Sequence, residues 1–301
     1  MSYHHLALFL LVVGGLATAA VAQNFGNLKK NIQDQLQGAQ QERAKQAEEA
    51  TKTPTSTAPA PTAIKQGWIT RKARDGKTDV RLYFACPQNL NKAKPTAGVV
   101  LVQEWWGVND DIRERAGEFA RRGYYAVAPD LYHGKVTADP AEAKKLHDAM
   151  SDATAMVDMK TAIDLLEEEA TNGVVDRQRI AAVGWCMGGE QSLLLSLADS
   201  RIKATVIFYG PLVTDAEKLK QLQGPVLGIF GNNDTAPSPM NVEHFKNALK
   251  TAGKTDVTIY QFDGVGHAFA SKAAMKMGLY NAEKSKEAWG KMWEWMEQKL
   301  R

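Results

Sequence analysis

The sequence predicts an α/β protein built on a doubly wound, mostly parallel sheet with helices on both faces. Three observations point there. Short apolar or β-branched runs recur at residues 97–103, 124–128, 180–185, 203–209, 226–230 and 257–262, as expected of strands covered on both sides. Segments of helical periodicity at 109–123, 141–150, 153–170 and 240–252 alternate with them. No internal repeat and no second compositional regime follows residue 64, so residues 64–301 are expected to form one domain.

The chain ahead of that domain reads differently. Residues 6–19 are an apolar run broken by Gly14 and Gly15 and followed by Ala20-Val21-Ala22. That is the h-region and A-x-A site of a signal peptide over residues 1–22, and the run is short for a membrane span. Residues 1–5 carry no Lys or Arg, a departure that keeps an uncleaved anchor as the alternative. The expectation is an exported protein, periplasmic or secreted, starting at Gln23 and with no stable membrane insertion after cleavage. Residues 23–63 are expected to be a polar leader. Leu28, Ile32 and Leu36 give a thin stripe to a helix over 27–50, which a partner could bind, and 51–63 form a Pro/Thr/Ala linker.

Within the domain, runs at 68–73 and 78–85 flank Asp75-Gly76, a hairpin signal. The run 97–103 is nearly continuous in apolar residues and predicts a buried strand. Asn109 can cap a helix that places Ile112, Ala116, Phe119 and Ala120 on one face and ends at Gly123. The strand at 124–128 stops at Pro129-Asp130, and two helical segments lead to the strand at 180–185. A capped helix is expected between the strands at 203–209 and 226–230, and 273–300 reads as one long amphipathic helical region.

Composition narrows the function. The chain has 37 basic and 34 acidic residues, a net +3, so it has no electrostatic footprint for nucleic acid. Its two cysteines, Cys86 and Cys186, make neither a disulfide scaffold nor zinc-ligand spacing, and no metal or cofactor is expected. Cys86 is expected to be buried beside Pro87.

The chemistry is expected at Gly184-Trp185-Cys186-Met187-Gly188, which joins a strand to a helix pattern. Glycines two before and two after a nucleophile permit the sharp turn of a nucleophile elbow, here with cysteine in place of serine. A helix beginning there aims free N–H groups and its positive end at the sulfur. In a doubly wound sheet, working residues sit where strands end at the carboxyl edge. Glu104, Cys186, Asp234 and His267 follow four of the predicted strands. A thiol needs a base, histidine has a matched pKa, and the histidine needs a carboxylate to fix its tautomer. The order nucleophile, acid, histidine is the one α/β-hydrolases use. The backbone N–H groups of Met187 and Trp105 are expected to hold an oxyanion. Trp106, Tyr132, Trp185 and Phe269 are expected as aromatic substrate contacts, implying a small ester or lactone with an apolar or aromatic body.

Taken together, the stretches 103–109, Pro129-Asp130-Leu131-Tyr132, 184–189, Gly231-x-x-Asp234 and Gly266-His267-x-Phe269 resemble the dienelactone hydrolase family of α/β-hydrolases from residue 64 onward. The resemblance implies a Cys186-Asp234-His267 triad and a Glu104 that hydrogen-bonds the resting thiol, accepting from it, and aids thiolate formation. It also brings a departure. Family members that cleave dienelactone hold its carboxylate with arginines at positions that are Gly134 and Ser271 here, and the adjacent Lys135 and Lys272 do not form a planar bidentate clamp. The expected function is a cofactor-free cysteine hydrolase of small carboxylic esters or lactones, acting through an acyl-enzyme. A non-catalytic binding module on a stalk and a thiol redox sensor are the alternatives.

Overall fold

A computed structural model describes residues 63–300, so the expected signal peptide, the 27–50 helix and nearly all of the linker lie outside the described residues. Eight strands form one sheet in the order β1-β2-β4-β3-β5-β6-β7-β8. The hairpin β1 (Ile64–Lys72) and β2 (Asp79–Pro87) supplies the antiparallel edge, with β2 also antiparallel to β4 (Tyr125–Pro129). Asp75 turns the hairpin by accepting from the Lys77 and Thr78 amides. The remaining pairings are parallel, through β3 (Thr96–Val102), β5 (Val175–Trp185), β6 (Ala204–Phe208), β7 (Val226–Gly231) and β8 (Val257–Phe262).

Period-two alternation decides what each face packs. Val99 and Leu101 of β3, with Val183 and Trp185 of β5, meet α1 (Asp110–Arg121) and α7 (Ala282–Leu300). Val100, Val102 and Ala182 face the other way, against Met159 and Ile163 of α3 (Asp152–Thr171) and Leu195 of α4 (Met187–Ala198). Beside α4, Ile207 and Phe230 pack on Val242 and Phe245 of α6 (Pro239–Thr251). The outer α2 (Pro140–Ala149) is capped by Asp139.

Two elements differ from the sequence reading, and the capped helix expected between β6 and β7 is present but short. The fifth strand begins at Val175 rather than 180, because its polar start pairs with Thr96 and Ala97 beyond the reach of an apolar pattern. The helix between β6 and β7 is a single turn, α5 (Ala216–Leu219), capped by Asp215. The C-terminal helical region is split. A 3₁₀ segment, Lys272–Met277, ends at Gly278 with φ 71°, a left-handed conformation suited to glycine, before α7 begins. Met277, the last residue of that segment, and Leu279, just beyond the break, line the cavity where the site lies. Cys86 is buried, and burial pushes its thiol up to about 11.

Candidate active site

Cys186 sits between β5 and α4 with φ 56° and ψ −125°, a strained conformation for a residue with a side chain. Backbone crowding fixes the turn. A Cβ on Gly184 would lie 1.8 Å from the Gly188 carbonyl oxygen, and one on Gly188 would lie 2.2 Å from that of Val102. Neither position can take a side chain without moving main chain. The Cys186 N–H donates to Phe208 O at 3.0 Å, and its carbonyl accepts from Gly189 N–H at 2.9 Å, tying the elbow to β6 and to its own helix. Met187 is the first residue of α4, where an N–H has no acceptor within the helix.

Three parallel strand ends bring the next groups together. His267, beyond β8, places Nδ1 2.9 Å from Asp234 Oδ2 and Nε2 3.0 Å from Cys186 Sγ. Asp234, beyond β7, is buried, and its other oxygen accepts the Ala236 N–H at 2.9 Å. The Tyr209 ring packs edge-on against the imidazole at 5.4 Å. Burial disfavours a charged His267, but hydrogen bonds to Asp234 and Cys186 and their negative charges outweigh it, holding the imidazole at about 10. A charged imidazole donates from both nitrogens, one to a carboxylate and one to sulfur. The arrangement can therefore support a thiolate nucleophile and deliver a proton from Nε2.

Glu104, expected as the resting thiol's hydrogen-bond partner, is engaged elsewhere. Its Oε2 accepts the Ser271 hydroxyl at 2.7 Å and lies 3.6 Å from Arg115 Nη2, while Oε1 accepts the Tyr209 hydroxyl at 3.3 Å. The carboxylate still lines the same cavity as Cys186 and His267. Burial holds the Glu104 carboxyl above the usual range, and the Arg115 charge and the Ser271 hydrogen bond work against that rise without cancelling it. Ser271 is thus turned inward onto Glu104, Lys272 reaches out to Glu114 at 3.4 Å, and Lys135 is exposed.

The cavity over the sulfur is about 260 Å³. Trp105 and Trp106 form one wall, edge to face at 4.9 Å, and Ala268, Ala274, Met277 and Leu279 form the other. Among the described residues its lining includes no Lys or Arg. Of the four aromatic residues expected to contact substrate, Trp106 lines the cavity, whereas Trp185 and Phe269 do not. Trp185 shares the face of Val183, so period-two alternation drives it into the core against Phe208 and Trp289 at 5.7 and 5.6 Å. Phe269 is fully buried against Phe262 and Tyr209. Tyr132 is buried as well, its hydroxyl 3.4 Å from the Met187 sulfur rather than in the cavity lining. Trp105 lies in the turn leaving β3, closed by Gly107 N–H donating to Glu104 O at 3.2 Å. The sequence reading missed Arg115, Tyr209, Met277 and Leu279. An arginine within the apolar stripe of α1 and the glycine at 278 were the available signals. Among the described residues no cluster of three or more His, Cys, Asp or Glu side chains is arranged to hold a metal ion.

Comparison with known proteins agrees with this architecture. Residues 80–300 match the Dienelactone hydrolase family. A Salmonella typhimurium protein provisionally named carboxymethylenebutenolidase is 32% identical over 233 residues, covering 73% of this chain and 83% of that one. A Methylorubrum extorquens protein with the same provisional name is 30% identical, covering 68% and 72%. Among solved structures, a Klebsiella pneumoniae protein provisionally titled a dienelactone hydrolase superposes with a TM-score of 0.66 at 28% identity, over 78% of this chain and 99% of its own. A dienelactone hydrolase-like promiscuous phosphotriesterase from metagenomic libraries superposes at 0.68 over 79% and 100%, and at 23% identity that likeness speaks to fold alone.

Proposed function

The chain belongs to the dienelactone hydrolase family, and on that footing we propose that it is a cysteine hydrolase of uncharged carboxylic esters or lactones with an apolar acyl part. The observation that carries the mechanism is the His267 ring bridging Asp234 at 2.9 Å and Cys186 at 3.0 Å. Cys186 attacks the carbonyl carbon as thiolate. The oxyanion is taken up by the Met187 and Trp105 amides, at the positive end of α4. As the intermediate collapses, Nε2–H of His267 protonates the leaving alkoxide, which leaves a thioester on Cys186 and a neutral imidazole. That imidazole then removes a proton from water attacking the thioester, and Cys186 departs as thiolate. Asp234 holds the ring in the required tautomer throughout.

The cavity supports the substrate class. Its walls are indole, methyl and thioether groups, and its ionisable groups are Glu104, Cys186 and His267, with no Lys or Arg in the lining among the described residues. An apolar acyl group is favoured there, and a substrate carboxylate would meet the Glu104 carboxyl. Export belongs to the same proposal, supported by the apolar run at 6–19 and Ala20-Val21-Ala22.

The test is turnover of short aryl esters and lactones by the reduced chain from Gln23 onward, beside Cys186→Ala and His267→Ala. The proposal expects activity lost in both variants and neutral acyl groups preferred over carboxylate-bearing ones. Wild-type rates no higher than those of the variants on every substrate would remove it.

A further inference from the structure

Arg115 is 4% exposed and lies on α1 among Ile112, Ala116 and Phe119, all core residues. Its Nη2 lies 2.6 Å from Asp111 Oδ2 and 3.6 Å from Glu104 Oε2. Its guanidinium carbon lies 4.3 Å from the Trp185 ring centre and 5.7 Å from that of Trp289. Nη1 is buried without a hydrogen-bond partner. A cation set this deep with one donor unmatched is a poor stability device, since an apolar side chain would fill the same stripe at no desolvation cost. Its place is better explained by what it does to Glu104.

We propose that Arg115 is a positioning residue: it keeps Glu104 ionised in the cavity wall and thereby sets the proton affinity of the Cys186–His267 pair. The inference rests on the cysteine-hydrolase reading above. Glu104 faces Arg115 and Asp111 from α1, the Tyr209 hydroxyl beyond β6, and Ser271, His267 and the Cys186 sulfur around the cavity. Both of its oxygens lie within hydrogen-bond distance of a hydroxyl, that of Tyr209 at 3.3 Å and that of Ser271 at 2.7 Å, donors that can serve a carboxylate. Burial works against that charge, and Arg115 is its nearest cation. An anionic Glu104 stabilises the imidazolium and opposes the thiolate, so the pair releases its protons at higher pH than it would beside a neutral group.

The sign makes the idea testable. If Arg115 acted only as a nearby positive charge, removing it would move the titration of the pair upward. If it keeps Glu104 ionised, removing it neutralises Glu104, which lines the cavity together with the pair as Arg115 does not, and the titration moves downward.

The readout is the pH dependence of Cys186 alkylation by iodoacetamide, mapped by peptide mass, which requires no substrate. We expect Arg115→Met and Glu104→Gln each to lower the midpoint by about one pH unit, Arg115→Lys to restore it, and the double variant to go no further than either single. An unchanged or raised midpoint in Arg115→Met, or shifts that add in the double variant, would overturn the proposal. Should Arg115→Met not fold by circular dichroism, Arg115→Gln carries the same prediction. A wild-type midpoint equal to that of free cysteine and insensitive to His267→Ala would instead sink the triad reading, leaving the two failures distinguishable.

Discussion

Among the described residues, two histidines hold buried aspartates at the same distance. His267 meets Asp234 at 2.9 Å, and His133 meets Asp158 at 2.9 Å. Both aspartates are buried, and both histidines lie in loops beyond strands of the parallel sheet. The difference is in what surrounds them. The second ring nitrogen of His267 lies 3.0 Å from a sulfur on a strained elbow, and both oxygens of Asp234 are hydrogen-bonded. The His133 side chain is 51% exposed, and Asp158 leaves one oxygen without a hydrogen-bond partner. A histidine on a buried carboxylate is a common way of satisfying that carboxylate. A third group in line on the other nitrogen is what turns the pair into a candidate machine.

The predictions exploit that contrast. Cys186→Ala or His267→Ala should lower ester turnover by about 10⁴-fold or more, since parts of one catalytic unit fail together. Asp234→Asn should cost about 10⁴-fold in kcat by stabilising the wrong tautomer. His133→Ala and Asp158→Asn serve as the matched controls. Equal losses from both pairs would break the comparison.

A smaller effect falls on substrate affinity. Met277→Ser and Leu279→Ser should each raise KM for apolar acyl esters about fivefold, with kcat nearly unchanged, through roughly 1 kcal/mol of lost apolar contact. Steady-state kinetics over a chain-length series would check this, and a loss confined to kcat would contradict it.

The His267–Asp234 pair should also link stability to pH. His267 holds its proton more tightly in the folded chain than an unfolded histidine does, with a folded value of about 10. The stability it contributes is fully present below about pH 6.5, the unfolded value, and is lost as pH rises toward about 10. Urea unfolding at mildly acidic and at alkaline pH should show wild type and His267→Ala converging at the alkaline end. The smallest expected effect is that of His133→Ala on turnover, within about twofold.

The fold was legible because its central strands are apolar on both faces and because Asn109 caps its helix with a side chain whose role shows in sequence. The meeting of Cys186, Asp234 and His267 was legible because α/β sheets gather strand ends along one edge, so order along the chain carries spatial information. Side-chain direction was not. Trp185 neighbours Cys186 in sequence yet points into the core, because alternation along β5 governs it up to the elbow. The partners of Glu104 were hidden for another reason: Arg115, Tyr209 and Ser271 come from three separate elements, and only their packing shows that they share one carboxylate. Met277 and Leu279 were hidden by a helical pattern that continues across Gly278, where the backbone breaks.

The central claim is that Cys186 carries the acyl group. Its most direct test is mass spectrometry of the reaction with an activated aryl ester, quenched in acid within the first turnovers. The account predicts one acyl group added per chain, located on the Cys186 peptide, formed before steady state and cleared as substrate is exhausted. Turnover that persists in Cys186→Ala, with no acyl group on Cys186 in the wild type at any time, would contradict it.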